Sequence, residues 1–246
     1  MIFVIVLIIT AVRIKSMDSH RISGRILAEN IAGPGMLRLV EQSMQARARK
    51  TSVTEIAVKE RKYPQAALTF DDGPDIRYTP LLLDGLKERN VRVSFFLLGE
   101  KVEQYPELVE RMQKEGHLVG NHTYHHVQLD KLNETKAREE ILKTNHLIYE
   151  TTGVYPLYLR PPFGAWKKNL ELCVEMLPVF WTIDTLDWKV QNTEKIVRTV
   201  QEQIEDGAII LMHDEYDTSV EAALQVVDEL KNQGYELVTV DQLILP

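Results

Sequence analysis

The chain is almost devoid of cysteine: its 246 residues contain one, Cys173. That excludes a disulfide within the chain and any site assembled from several thiolates. Basic residues are outnumbered by acidic ones, 29 against 36, for a formal net charge of −7. A broad basic surface for nucleic acid is therefore not expected. Long apolar runs are also scarce. The most apolar segment is MIFVIVLIITAV at the N-terminus, which stops at Arg13. Its roughly 12 residues fall short of the about 20 that a membrane-crossing helix requires. The length fits the apolar region of a signal peptide, although a basic leader and a small-residue cleavage site are missing. Residues 1–12 read as a signal-anchor-like segment giving possible membrane attachment and an extracytoplasmic location. A buried N-terminal helix is the alternative.

What is present is the composition of an ordinary globular chain, 44% hydrophobic and 26% charged. Residues 13–62 are polar and basic, broken by Gly33, Pro34 and Gly35, and read as a stalk or linker. From Tyr63 to the end, short apolar runs alternate with helix-period segments. AALTF, VRVSFFLLG, HLVGNH, PLYLRPPFG, PVFWTIDTLDW, AIILMHD and ELVTVDQLI read as strands. TPLLLDGLKERN, PELVERMQKEG and the later charged segments read as helices, with Gly116, Gly153, Gly207 and Gly234 at helix ends. This alternation predicts an α/β fold with a parallel sheet. About seven repeats closing on themselves predict a barrel of the β/α type, with residues 63–246 as one domain.

The chemically loaded residues collect at the ends of the strand-like runs: Asp71 and Asp72, His122, Arg160, Asp187 and His213. In parallel α/β folds that edge is where sites form. His122 and His126 are four apart, so a helical turn would put both on one face, at a spacing common in zinc sites. His125 would point elsewhere. Adding one aspartate of the Asp71–Asp72 pair completes two imidazoles and a carboxylate, a donor set for an open divalent-metal site. Neutralising one carboxylate relieves the repulsion within the pair and leaves the other free to act as a base. Arg160, in the rigid RPPFG loop, could lie over the mouth, and His213 could serve as a general acid if paired with a carboxylate. Read singly, each also fits a structural turn or a satisfied core histidine.

In order, TFDDGP, HTYHH, RPPFG, DTLDW and LMHD resemble the five motifs of the polysaccharide deacetylases, carbohydrate esterase family four. The resemblance covers roughly Tyr63 to Ile244. It implies a distorted (β/α) barrel that removes acetyl groups from sugars with a divalent metal. On that likeness Asp71 corresponds to the catalytic base, and Asp72, His122 and His126 to the metal ligands. Arg160 corresponds to the arginine that tunes the base, and His213 to the general acid. Asp187 corresponds to the carboxylate that tunes His213, with Asp184 as second choice. The Phe163 N–H falls where an oxyanion donor is expected, and Leu211 where an apolar wall meets the acetyl methyl.

Two departures are small: Val127 stands where proline is frequent, and Phe163 where tyrosine is. Trp188, Trp166 and Tyr124 are candidates to stack on sugar rings, whereas Trp181 reads as core. The implied substrate is a polysaccharide, foremost peptidoglycan N-acetylglucosamine, with N-acetylmuramic acid, chitin oligomers and acetylated xylan open. Zinc is the expected metal, with cobalt, nickel or manganese compatible with the same donors. Rival readings are a non-catalytic carbohydrate-binding relative and an amidohydrolase of non-sugar amides.

Overall fold

The computed structural model describes residues 62–166 and 176–244. The apolar segment 1–12, nearly all of the stalk 13–62 and residues 167–175 lie outside the described residues.

Eight strands form one sheet in which every pairing is parallel: β1 (Gln65–Asp71), β2 (Ser94–Leu97), β3 (Leu118–Asn121), β4 (Tyr158–Leu159), β5 (Leu177–Pro178), β6 (Ile183–Asp184), β7 (Ala208–His213) and β8 (Glu236–Leu237). Their order is β5-β4-β3-β2-β1-β7-β6, with β8 beside the start of β1. Among the described residues no ladder joins β5 to β6, so the curled sheet is a distorted barrel. The segment PVFWTIDTLDW holds two short strands rather than one. Pro178 has no N–H to continue a ladder, which suits the end of β5.

Side-chain alternation sorts each strand between two cores. From β1, Ala66, Leu68 and Phe70 face the outer core with Val93, Phe95 and Leu97 of the β2 segment and Ala208, Ile210 and Met212 of β7. Helices α1 (Tyr78–Glu88), α3 (Pro106–Lys114), α6 (Thr193–Gln203) and α7 (Asp217–Asn232) cover that face with Leu82, Leu83, Met112, Ile196 and Val226. Each fully buried side chain of this size contributes about 1.5–3 kcal/mol. Inside the barrel, Ala67, Phe96, Tyr158, Val179 and Val240 form a smaller cluster. Because both faces are buried, the strands read as unbroken apolar runs.

Local signals set the helix ends. Asn133 caps α4 (Glu134–Thr152) by accepting the Lys136 N–H, and Gly153 closes it at φ 70. Asn192 caps α6 in the same way through Lys195. Three short helices were not evident from the pattern: α2 (Gly99–Gln104), α5 (Asp187–Val190) and the last one, because ELVTVDQLI, read as a strand, keeps only Glu236–Leu237 extended and turns helical from Val240. Helix α8 (Val240–Ile244) completes the described chain. Among the described residues no helix is long and apolar enough to cross a membrane.

Candidate active site

The parallel register of β1 and β7 puts Thr69 beside Leu211 and Asp71 beside His213. Alternation then turns Thr69, Asp71, Leu211 and His213 to the inner face, at the carboxyl edge of the sheet. Asp71 ends β1 and is buried, whereas Asp72 turns off the strand with φ 68. That switch of backbone region lets two adjacent carboxylates serve one mouth.

Beneath the mouth lies Arg160, whose side chain is fully buried. Its Nη1 donates to Asp71 Oδ1 at 2.8 Å and to Thr69 Oγ1 at 2.6 Å. Its Nε and Nη2 reach the carbonyls of Val179 and Phe180, and its plane lies 4.3 Å from the Phe96 ring. Arg160 was expected to hold Asp71 ionised. It does pull in that direction, but burial outweighs it and lifts the Asp71 carboxyl above the ordinary carboxylate range. Thr69 was missed from the sequence, although a polar residue two before Asp71 in an apolar strand points to the same face.

Asp72, His122 and His126 come together as expected, with ligand atoms all within 4.8 Å of one another. Asp72 Oδ1 is 3.4 Å from His122 Nε2 and 3.5 Å from His126 Nε2. The expected helical turn is absent. Residues 122–126 form a turn in which Thr123 and His126 have φ 67 and 54. Tertiary hydrogen bonds hold this backbone, so the histidines meet without helical geometry. His125 points elsewhere, to Glu140 at 2.7 Å.

The donor chemistry fits a cation. His122 Nδ1 lies 2.7 Å from the Arg160 carbonyl oxygen, which can only accept, so Nδ1 carries the proton. Burial pushes His122 down to about 3, keeping the ring neutral with a free lone pair on Nε2. That lone pair faces Asp72 Oδ1, itself buried and without a hydrogen-bond partner. Two acceptors face each other there, an arrangement that a bound cation satisfies.

His213 sits on the other flank. Asp187, fully buried at the start of α5, accepts from both the backbone N–H and Nδ1 of His213, each at 2.7 Å. Asp184 instead accepts the Leu186 N–H and shapes the turn before α5, so Asp187 is the partner. Burial disfavours the imidazolium, but the Asp187 bond and the charges of Asp187, Asp71 and Asp72 override it, raising His213 to about 9. Its Nε2 is 3.8 Å from Asp72 Oδ2.

Phe163 has φ 60, an exposed side chain and a ring 4.5 Å from that of His126. Its N–H has no hydrogen-bond partner among the described residues. Trp188 is exposed on α5, and Leu211 is buried on the inner face. Tyr124 is not brought into this group. It is buried against Gly99, its hydroxyl bonds Glu103, and Lys143 and His125 cover its ring. Its faces are taken up in joining α2 to α4, which leaves no open surface for a sugar.

A sequence model of the polysaccharide deacetylases matches residues 59–180. Peptidoglycan-N-acetylglucosamine deacetylase PgdA of Listeria monocytogenes is 42% identical over 75% of this chain and 40% of its own length. The chain thus spans less than half of that relative. A peptidoglycan-N-acetylglucosamine deacetylase of Bacillus cereus is 40% identical over 73% of this chain and 68% of its own length. The solved structure of peptidoglycan deacetylase PdaC from Bacillus subtilis superposes with a TM-score of 0.72 at 42% identity, covering 74% of this chain and 91% of that one. Shared fold and sequence over this extent mean that the chain belongs to the polysaccharide deacetylase family.

Proposed function

We propose that residues 63–246 form a metal-dependent hydrolase that removes N-acetyl groups from a polysaccharide, foremost from peptidoglycan N-acetylglucosamine. One observation carries this reading. A three-ligand cluster lacking donors is flanked by a buried carboxylate on Arg160 and by a histidine paired with Asp187. These are a base and an acid on opposite sides of one mouth, with environments that separate their protonation states.

Asp72, His122 and His126 would hold the cation. Two imidazoles and one carboxylate suit zinc, and cobalt, nickel or manganese accept the same donors. A divalent cation there supplies Lewis acidity toward the acetamide carbonyl and toward water. Asp71 takes the proton of the attacking water, and its raised affinity for protons suits that task. The Phe163 N–H donates to the oxygen that gains charge as the carbonyl carbon becomes tetrahedral. Leu211 packs on the acetyl methyl and excludes water from it. His213, protonated near neutrality, delivers the Nε2 proton to the leaving amine as the carbon–nitrogen bond breaks. The products are acetate and a free amino sugar.

The substrate choice is supported by the printed activities of the Listeria and Bacillus cereus relatives. PdaC, 43% identical, is named for N-acetylmuramic acid, which is the alternative sugar. A glycan of the wall requires an extracytoplasmic enzyme, consistent with residues 1–12 as a signal-anchor-like segment. The test is acetate release from purified wall glycan, chitin oligomers and acetylated xylan, before and after chelation. Release from wall glycan that stops with the chelator supports the proposal. No acetate from any polymer by the metal-loaded chain would favour a carbohydrate-binding relative instead.

A further inference from the structure

Between the two histidine ligands runs a turn, Thr123-Tyr124-His125, that has no ladder or helix of its own. Such a turn leaves backbone N–H groups to be satisfied from elsewhere. Thr123 N–H is taken by Asn121 Oδ1 at 2.7 Å, and the Thr123 carbonyl by the Gly99 N–H at 2.9 Å. The next two N–H groups, of Tyr124 and His125, converge on one oxygen of Glu140, Oε2, at 3.0 and 2.9 Å. The other oxygen, Oε1, meets His125 Nδ1 at 2.7 Å. Glu140 lies on α4, far from the mouth in sequence, and its side chain is 15% exposed while that of His125 is 59% exposed. One carboxylate therefore fixes three donors in the three residues that separate His122 from His126.

We infer that Glu140 is a positioning residue for the metal site, setting how tightly the cation is held by fixing the turn that carries His126. The inference rests on the reading of Asp72, His122 and His126 as ligands. His122 is anchored independently, by its N–H on the Leu97 carbonyl at 2.9 Å and by its ring on the Arg160 carbonyl. Among the described residues His126 has no comparable anchor. Its φ of 54 lies in the left-handed region, which a histidine occupies at a cost unless its surroundings enforce it. Asn121 and Gly99 hold the start of the turn, and the Thr123 hydroxyl accepts the Val127 N–H at 3.2 Å; the two residues just before His126 are held by Glu140. Loss of that carboxylate frees two N–H groups to seek water and lets the turn relax toward φ below zero, carrying His126 Nε2 away from Asp72. Partners that orient ligands are typically worth about 10- to 100-fold in metal affinity.

The experiment is calorimetric titration of the metal-free full chain with Zn2+ alone, alongside thermal melting of the same metal-free samples. Glu140→Ala is expected to weaken zinc binding by about 10- to 100-fold. Glu140→Gln keeps a carbonyl oxygen for both N–H groups, and its amide meets His125 Nδ1 once the ring proton moves to Nε2, so it is expected to stay within about threefold. Glu140→Asp keeps the charge but is one methylene too short, and is expected to behave as the alanine variant; it carries the test if Glu140→Ala does not fold. A merely structural role would lower the melting temperature and leave the affinity of the folded fraction unchanged, which overturns the inference. His126→Ala separates the two levels. Zinc lost in His126→Ala but bound normally by Glu140→Ala or Glu140→Asp overturns the role of Glu140 alone. Zinc bound normally by both variants overturns the metal-site reading, and this inference with it.

Discussion

Asp187 grips His213 twice, through the backbone N–H and through Nδ1, each at 2.7 Å. The double contact fixes both the ring's orientation and its tautomer, so that Nε2 is the atom facing the mouth.

From this follows a pH prediction. A general acid works only while protonated, and His213 is raised to about 9. The rate of acetate release should therefore hold through neutrality and fall as pH rises through about 9. In Asp187→Asn the supporting charge is gone, so that limb should move down by more than one pH unit. A limb moved down by about two pH units would by itself lower turnover at pH 8 by about tenfold. The check is the pH dependence of kcat/KM for both proteins; an unmoved limb would remove His213 from the acid role.

Arg160 and Asp71 form a buried pair, and breaking such a pair from one side costs about 3–5 kcal/mol. Arg160→Met should show that loss in chemical denaturation. Without the guanidinium, burial of Asp71 is opposed only by the weaker influence of His213 and His126, so the acidic limb of the rate profile should move to higher pH.

Gly73 is set by its neighbour. A Cβ there would stand 2.5 Å from Oδ1 of Asp214, a fully buried carboxylate that accepts from the Thr79 hydroxyl. Thr79 in turn accepts the Asp75 N–H at 2.7 Å, so the loop after the two aspartates is clamped from below. Gly73→Ala should cost about 1–3 kcal/mol by overpacking. In an Asp214→Ala background the same substitution should cost clearly less, a coupling that a double-mutant cycle measures. Additive effects would mean that the two sites do not meet.

His117 bears on stability rather than chemistry. It is buried, accepts the Val93 N–H at 3.1 Å, and is pushed by burial from 6.5 down to about 4. The unfolded chain binds a proton between those values that the folded chain refuses. The contribution is therefore complete above about pH 6.5 and is lost as pH falls toward 4, by about 3 kcal/mol. His117→Asn keeps an acceptor for Val93 and removes the titration. Its stability should depend less on pH across that window, as urea denaturation at several pH values would reveal.

The residues of the proposed site were largely legible because most end an apolar run: Asp71 and His213 close the longest strands, and their register does the rest. The spacing of His122 and His126 was also legible, but its geometry was not. Their left-handed turn is imposed by Glu140, Asn121 and Gly99, which local pattern cannot connect to it. Asp187 and Asp184 could be separated only once α5 was seen, because a four-residue helix leaves too little periodicity to read. Tyr124 looked available for a sugar since it sits between His122 and His126, yet its burial depends on where α2 and α4 pack. Thr69 was readable in principle from its alternation with Asp71.

The division of labour between adjacent aspartates is tested most directly by comparing Asp71→Asn with Asp72→Asn, measuring zinc bound per chain and acetate released from wall glycan. Asp71→Asn should bind zinc as the parent chain does and lose about 10²- to 10⁴-fold in rate. Asp72→Asn should lose the metal, and the activity with it. An Asp71→Asn chain that releases acetate at the parental rate, or an Asp72→Asn chain that still holds zinc at parental affinity, would contradict the account.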